Sequence, residues 1–140
     1  MDIGQLTEFA GNHPLLVFAL FAILAMLIGG ELKQRLSGIN EVAPAQAVRM
    51  LNHENAVMID MRSDKEYGEG HIVNAVHLPD ASGAKPDKFR DRSVIVYCRS
   101  GSRSQAYCSK LRKQGFESVY NLKGGVLAWE RAELPLTKAD

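Results

Sequence analysis

The sequence predicts an α/β domain with a mostly parallel five-stranded sheet and helices on both faces, preceded by one transmembrane helix. Short apolar segments alternate with segments of helical periodicity along most of the chain, and such alternation is typical of a parallel sheet covered by helices. Ahead of them, the 22 residues between Glu8 and Glu31 contain no Asp, Glu, Lys or Arg. The total length of 140 residues fits one α/β domain behind such a segment.

The uncharged N-terminal stretch is long enough for a membrane span. As a helix it would extend about 33 Å, and its central part, residues 15–28, is wholly apolar. A signal peptide or a buried core helix has a similar composition. However, Asp2 and Glu8 precede the stretch without any Lys or Arg, whereas a signal peptide begins with basic residues. We therefore expect a retained anchor that spans about residues 9–30.

The basic residues beside this stretch predict its orientation. Lys33 and Arg35 follow it and none precedes it, so the positive-inside rule places the N-terminus outside and the rest of the chain in the cytoplasm. We expect a single-pass protein of the cell inner membrane, with an anchor and basic flank at 1–36 and the α/β domain at 37–140. The domain has 15 basic and 13 acidic residues, so no nucleic-acid partner is predicted.

Five apolar segments predict the strands of the sheet. They have the length of buried strands and are bounded by residues that favour turns. Because helical segments separate them, most of the strands are expected to run parallel. The predicted strands are 39–42, 56–61, 75–78, 93–97 and 118–122.

The segments between these strands carry helix start and stop signals. Pro44 suits the first position of a helix, and Ser63 with Glu66 has the spacing of a capping box. Gly115 is suited to a left-handed cap at the C-terminus of the longest helix. The predicted helices are 44–52, 63–69, 85–90, 102–114 and 126–131.

A cysteine follows the strand 93–97 and opens a loop rich in Gly, Ser and Arg. The loop leads into the helix 102–114, where unpaired backbone N–H groups and the positive end of the helix dipole gather. This environment favours the thiolate of Cys98 and makes it the candidate nucleophile, whereas an ordinary turn with a small apolar cysteine is the alternative. The candidate anion-binding residues are Arg99, Ser100, Gly101, Ser102, Arg103 and Ser104.

The loop and several other segments resemble the rhodanese-like family of thiosulfate sulfurtransferases. Cys98, Gly101 and Arg103 match the family's Cys-x-x-Gly-x-Arg active-site pattern. The resemblance implies the rhodanese-like fold, in a single-domain form behind a membrane anchor. It extends over roughly residues 39–136, in the family's order and spacing, and its further segments are 57–67, 70–72, 75–79, 121–129 and Leu134-Pro135.

This resemblance implies a sulfurtransferase. Cys98 would take the outer sulfur of a small donor such as thiosulfate and form a persulfide, which a thiol, a protein thiol or cyanide then accepts. The loop N–H groups would stabilise the anionic sulfur, while Arg99 and Arg103 attract the anionic donor. No cofactor and no metal are called for. The lipid bilayer and a membrane protein are the further candidate partners.

Residues outside the loop are expected to support the site or the core. Asp60 ends a strand, and Arg62 lies two positions on, on the same side of an extended chain. In rhodanese-like domains the matching positions mainly brace the active-site loop and the fold, and direct contact with substrate is the alternative. His71 and His77 are expected to be packed imidazoles rather than metal ligands. Cys108 is expected to pack in the core, with a resolving thiol as the alternative.

Two other classes of function stay open. Cysteine phosphatases and arsenate reductases also hold a thiolate in an anion-binding loop, but their Cys-x5-Arg pattern would put the arginine at the position of Ser104. The second class is a membrane-tethered sulfur carrier or docking module with little turnover of its own. The anchor favours this second class, because tethering is useful when a donor or acceptor lies at the membrane.

Overall fold

Two units make up the chain in the computed structural model, Met1–Gly38 and Ile39–Asp140. The structure describes residues 1–36, 38–80, 83 and 86–138. The first unit is helical, and the second contains all of the described β-strands. The sequence analysis placed the domain boundary between residues 36 and 37, and residue 37 lies outside the described residues.

The N-terminal unit consists of the helices α1 (Ile3–Asn12) and α2 (Pro14–Leu36). Asp2 caps α1, because its carboxylate accepts a hydrogen bond of 2.9 Å from the Gln5 N–H. Within α2, the segment Pro14–Lys33 contains an 18-residue window with a mean hydropathy of 2.5 and is long and apolar enough to cross a membrane. A signal sequence near an N-terminus also meets this criterion of length and apolarity.

The apolar helix begins later than the span of about 9–30 that the sequence analysis predicts, because α1 and α2 are separated at His13. Pro14 lacks a backbone N–H and disfavours the helical conformation at the residue before it. His13 accordingly has φ −130° and ψ 60°. The proline instead begins α2, in the first turn, where a missing N–H leaves no intrahelical bond unmade.

The second unit contains a five-stranded parallel sheet, as predicted. Its strands are β1 (Asn40–Val42), β2 (Val57–Asp60), β4 (Val76–His77), β5 (Val94–Tyr97) and β6 (Val119–Leu122). Across the sheet the order is β1-β6-β5-β2-β4, and each neighbouring pair is parallel. The strand β5 therefore lies in the centre, between β6 and β2.

A separate antiparallel pair joins β3 (His71–Ile72) to β7 (Leu136–Thr137). The sequence analysis does not predict either strand, because a two-residue strand is too short to show periodicity. The pairing connects the C-terminal segment of the unit to the residues that follow the helix after β2.

The α-helices described in the second unit are α3 (Pro44–His53), α4 (Asp64–Glu69), α5 (Ser102–Lys113) and α6 (Gly125–Arg131). The capping box of Ser63 and Glu66 is confirmed at the start of α4. The cap at Gly115 is confirmed as well: its φ is +96°, and the Phe116 N–H donates to Leu111 O over 3.1 Å. The sequence therefore places both helix ends correctly where the signal is local.

The predicted helix 85–90 is a single turn of 3-10 helix, Asp87–Phe89. Its start at residue 85 lies outside the described residues. Pro86 is the N-cap of the turn, and its own φ of −83° and ψ of 47° lie outside the helical region. The remaining segment is too short for an α-helix.

Apolar side chains fill both faces of the sheet. On one face, Val94 and Val96 of β5 pack in a cluster with the buried side of α5. On the other face, Ile95 and Tyr97 pack in a cluster with residues of α3 and α6, among them Trp129. Since side chains alternate along a strand, a central strand covered on both faces must be apolar throughout. All four residues of β5 are buried accordingly.

A buried polar network fixes the end of β5. Arg62 forms an ion pair of 2.7 Å with Asp60 and also donates to Gly70 O at 2.7 Å. The Tyr97 hydroxyl donates to Asp60 Oδ2 at 2.6 Å and accepts from the Ile72 N–H at 3.1 Å. Burial and the neighbouring Asp60 raise the pKa of Tyr97, so its hydroxyl stays protonated and can donate. The network ties β2, β3 and β5 together immediately before Cys98.

Replacing Arg62 by Ala should lower the free energy of unfolding by about 3–5 kcal/mol, because it leaves the buried Asp60 carboxylate without its counter-charge. Lys110→Ala is the control, since Lys110 pairs with Asp80 at the surface over 3.3 Å and should contribute less than about 1 kcal/mol. Urea denaturation of the full chain in mild detergent measures both. Equal losses for the two variants would contradict a structural role for Arg62.

Candidate active site

Cys98 lies directly after β5, in a short loop that ends at the start of α5. Gly101 is the N-cap of α5 and has φ +97°, a left-handed conformation that glycine adopts without strain. From the other side, α6 holds the loop: the Val126 N–H donates to Cys98 O at 2.9 Å and the Leu127 N–H donates to Arg99 O at 3.2 Å. The loop is therefore clamped between two helix starts.

This close approach requires a glycine at the start of α6. Gly125 has φ +62°, and a Cβ at that position would lie 2.5 Å from the carbonyl oxygens of both Cys98 and Arg99. Such contacts are with backbone atoms, which cannot move aside without displacing the loop. The Gly124-Gly125 pair thus lets α6 donate its first N–H groups to the cysteine loop.

The sulfur of Cys98 is surrounded by hydrogen-bond donors. The Gly101 N–H donates to Sγ at 3.1 Å, the Ser104 N–H lies 3.4 Å from it, and the Ser104 hydroxyl oxygen is also at 3.4 Å. Burial opposes ionisation of this thiol, but the hydrogen-bond donors of Ser104, Gly101 and Ser100 outweigh it. Together they lower the pKa of Cys98 below its ordinary value. These donors therefore favour the thiolate of Cys98 over the thiol.

A buried asparagine stands behind the loop. Asn121 of β6 accepts a hydrogen bond from the Ser104 hydroxyl at Oδ1 over 2.5 Å and donates from Nδ2 to Gly101 O over 2.9 Å. The sequence pattern assigns Asn121 no role of its own and includes it only in a segment that resembles the family. The available signal was its position in a strand whose other buried residues are apolar, because buried polar side chains need partners.

Arg103, predicted to attract the donor, is paired with a carboxylate. Its Nη2 lies 2.9 Å from Glu66 Oε1, and about half of its side chain is exposed. Glu66 also accepts from the Ser63 N–H, so it caps α4 and holds Arg103 at once. The hydrogen bond from Arg103 is the main reason that the pKa of Glu66 falls to about 2. Sequence reasoning treated Glu66 only as a helix cap.

A cleft of about 340 Å³ borders the loop. Its lining includes Arg99, Glu66 and Arg62 together with Leu127 and Glu130 of α6. Arg99 therefore faces open space beside the candidate nucleophile, and Arg62 borders this space from the buried network. Ser100 and Ser102 lie on the exposed side of the loop, with their hydroxyl oxygens 3.4 Å apart.

A larger groove of about 540 Å³ lies elsewhere. Among the described residues it is lined by apolar side chains near the amino end of β2, such as Val57, and by Trp129 and Leu134. None of the loop residues 98–104 lines it in the part of the chain that the structure describes. The smaller cleft, which Arg99 lines, is therefore the one that borders the cysteine loop.

The two histidines and the second cysteine are packed, as expected. His71 Nδ1 lies 3.0 Å from Tyr67 O, and His77 Nε2 lies 2.9 Å from Arg62 O. Both imidazoles stack on the ring of Tyr67, at centroid distances of 3.7 and 4.1 Å. Cys108 is free and buried, and burial raises the pKa of its thiol to about 12. It is therefore a poor nucleophile at neutral pH.

Comparison with known proteins identifies the fold and the family. Residues 43–132 match the rhodanese-like domain. A crystal structure of a rhodanese-related protein from Thermoplasma volcanium superposes with a TM-score of 0.64 at 22% identity, over 71% of this chain and 99% of that one. This likeness shows that the parallel sheet and its helices form the rhodanese-like fold.

Two relatives extend the comparison. The chain is 32% identical over 139 residues to the uncharacterized protein YibN of Escherichia coli (strain K12), covering 96% of this chain and 97% of YibN. It is 39% identical over 98 residues to the thiosulfate sulfurtransferase GlpE of Glaesserella parasuis serovar 5, covering 69% of this chain and 91% of GlpE. The chain therefore belongs to the rhodanese-like family, carries one such domain and has sulfurtransferases among its relatives.

Proposed function

We propose that this protein transfers sulfane sulfur through a persulfide on Cys98. The proposal rests on the position of Cys98 Sγ. This sulfur accepts hydrogen bonds from the N–H groups of Gly101 and Ser104 over 3.1 and 3.4 Å. Such a ring of oriented N–H groups stabilises a negative sulfur without needing a positive side chain in contact. The identity to GlpE supports thiosulfate as a donor.

The chemistry proceeds in two balanced halves. The Cys98 thiolate attacks the outer sulfur of thiosulfate, the sulfur–sulfur bond of the donor breaks, and sulfite leaves with the bonding electron pair. The enzyme then carries a persulfide anion. An acceptor thiolate or cyanide attacks the outer sulfur, and the Cys98 thiolate leaves. No separate general base is required, because the loop already lowers the pKa of Cys98.

In this mechanism, different groups of the loop bind the anionic donor and stabilise the charge on sulfur. The backbone N–H groups from Arg99 to Ser104 stabilise the sulfur charge in both halves. Arg99 borders the cleft beside the loop and attracts an anionic donor. Arg103 adds a second positive charge near the loop, and Glu66 partly neutralises this charge. Asp60 and Arg62 hold the strand end from which the loop starts.

We propose that α2 is a retained membrane anchor, with residues 1–36 as anchor and flank and 37–140 as the rhodanese domain. The match to YibN supports this layout, because it covers 96% of this chain and so extends into the apolar segment. The charges of Lys33 and Arg35 support an outside N-terminus and a cytoplasmic domain. In the cytoplasm, reduced thiols are available as acceptors.

A membrane-tethered sulfur carrier is the second candidate function. The apolar helix Pro14–Lys33 favours it, because an anchor restricts a small domain to donors or acceptors at the bilayer. The same Cys98 persulfide would then be passed to a thiol of a membrane protein, with little turnover on free thiols. Lipid and such a protein are the partners in this case.

Incubation of the full chain with thiosulfate should add the mass of one sulfur atom to the peptide that contains Cys98. Cys98→Ser should abolish this adduct and the formation of thiocyanate from cyanide. Cys108→Ser is the matched control and should retain both, because that thiol is buried and stays protonated. Mass spectrometry after digestion locates the sulfur. An adduct on Cys108, or full turnover by Cys98→Ser, would refute the mechanism.

Arg103 and Glu66 should have opposite effects on the use of thiosulfate. Arg103→Ala removes a positive charge near the thiolate and should lower kcat/KM for thiosulfate roughly fivefold, about 1 kcal/mol. Glu66→Gln frees Arg103 from its carboxylate partner and should raise it, while a glutamine still completes the capping box of α4.

The control for this pair is Arg112→Ala, an exposed arginine at the far end of α5, which should leave kcat/KM nearly unchanged. Steady-state kinetics at fixed ionic strength compare the three variants. Effects of the same sign for Arg103→Ala and Glu66→Gln would mean that the ion pair, rather than the free charge of Arg103, serves the reaction.

The anchor and its orientation are tested in cells. A C-terminal reporter that is active only in the cytoplasm should be active on the full chain, whereas a reporter that is active only outside should be silent. The protein should also stay in the membrane fraction after carbonate washing. An exported domain, or a mature chain that begins near Glu31, would show that the apolar segment is a signal peptide.

A further inference from the structure

The hydroxyl of Ser104 has one proton and three acceptors nearby. Its oxygen lies 2.5 Å from Asn121 Oδ1, 3.2 Å from Gly101 O and 3.4 Å from Cys98 Sγ. A hydroxyl donates a single hydrogen bond, and the shortest contact marks the preferred acceptor. The carboxamide oxygen of Asn121 therefore holds the proton, and the sulfur is the most distant of the three acceptors.

The orientation of the Asn121 amide is fixed by its other end. Its Nδ2 donates to Gly101 O over 2.9 Å. A flipped amide would set its oxygen against that carbonyl oxygen, two acceptors with no proton between them. Ser104 and Asn121 are 0% and 1% exposed, so solvent does not compete for the hydroxyl proton. The acceptor that faces Ser104 is thus always the same atom.

We propose that Asn121 is a positioning residue that holds the hydroxyl proton of Ser104 away from Cys98 Sγ, so that backbone N–H groups alone donate to the thiolate. The inference rests on the proposed role of Cys98 as the nucleophile. It assigns to Asn121 the control of how strongly this nucleophile is stabilised.

Withholding this proton keeps the thiolate reactive. Each hydrogen bond to a thiolate lowers its pKa, and the nucleophilicity of a thiolate falls with its pKa. The N–H groups of Gly101 and Ser104 favour ionisation, while the hydroxyl would stabilise the thiolate further at the expense of its reactivity. Once sulfur is added, Sγ is uncharged and the hydroxyl stays on Asn121. The hydrogen bond between Ser104 and Asn121 therefore persists through both halves of the reaction.

The test titrates Cys98 in the full chain in mild detergent, by the ultraviolet absorbance of the thiolate, with the Cys98→Ser form of each variant as the blank. Cys108 does not interfere, because burial raises its pKa to about 12. Asn121→Ala removes the carboxamide, and Asn121→Leu removes it while filling a similar volume in case the first variant fails to fold. Ser104→Ala removes the hydroxyl and keeps the backbone N–H.

Both Asn121 variants should lower the pKa of Cys98 by about one unit, since the freed hydroxyl then donates to the thiolate. Ser104→Ala alone should leave this pKa nearly unchanged. In the Ser104→Ala background the Asn121 substitutions should have no further effect, because no hydroxyl is left to release.

Two results would overturn the inference. A rise in the pKa of Cys98 by about one unit in Ser104→Ala alone would show that the hydroxyl already donates to the thiolate. An Asn121 effect that persists in the Ser104→Ala background would show that Asn121 acts through the Gly101 carbonyl instead. The titration uses no sulfur donor. A chain that titrates as expected but gains no sulfur from thiosulfate would therefore support this inference and contradict the proposed function.

Discussion

The sulfur of Cys98 accepts a hydrogen bond at the start of α5 that a capping side chain normally accepts, and the site depends on this interaction. An α-helix leaves its first N–H groups unpaired, and a side-chain oxygen at the N-cap normally accepts one of them. The N-cap of α5 is Gly101, which has no side chain, and the N–H of Ser104 points at Cys98 Sγ instead. The more negative the sulfur is, the more strongly it accepts this hydrogen bond and stabilises the start of the helix. Stabilising the helix start and stabilising the thiolate are the same interaction.

The other features of the site hold this geometry in place. Gly101 turns the chain in the left-handed region, so that its own N–H also reaches the sulfur at 3.1 Å. Asn121 binds both Gly101 and Ser104 from β6, and the start of α6 binds the carbonyls of Cys98 and Arg99. Charged groups lie further out: Arg103 is paired with Glu66 at the surface. Neutral dipoles thus act on the sulfur directly, while full charges act at the approach.

Features that depend on local sequence were predictable. The four residues of β5 are apolar because the strand is covered on both faces, and the capping box at Ser63 follows from two residues three positions apart. The loop after β5 was recognisable because a helix start needs anion-like partners whatever the tertiary structure. The five-stranded sheet followed from the alternation of such local elements.

Features that depend on distant residues were not predictable from the sequence. Arg103 and Glu66 are 37 positions apart, and so are Tyr97 and Asp60, and nothing in either local pattern indicates its partner. The role of Asn121 has the same origin. Asn121 lies in β6, whereas its partners Gly101 and Ser104 follow β5, the strand beside β6 in the sheet. The break at His13 was missed for another reason. Hydropathy is continuous there, and only the proline that follows signals the end of α1.

The two cysteines show why burial alone does not decide reactivity in this fold. Both thiols are buried, and burial by itself opposes the charge of either one. Cys108 lies within α5, where the backbone N–H groups are already used by the helix, and its thiol lies 3.5 Å from a carbonyl oxygen, that of Tyr120. That oxygen accepts a hydrogen bond from the thiol and disfavours a thiolate. Cys98 lies one loop earlier, where the first N–H groups of the same helix are still free to donate. The position of each sulfur relative to the start of α5 therefore separates a thiol whose pKa is raised from one whose pKa is lowered, and it would direct the proposed sulfur chemistry to a single residue.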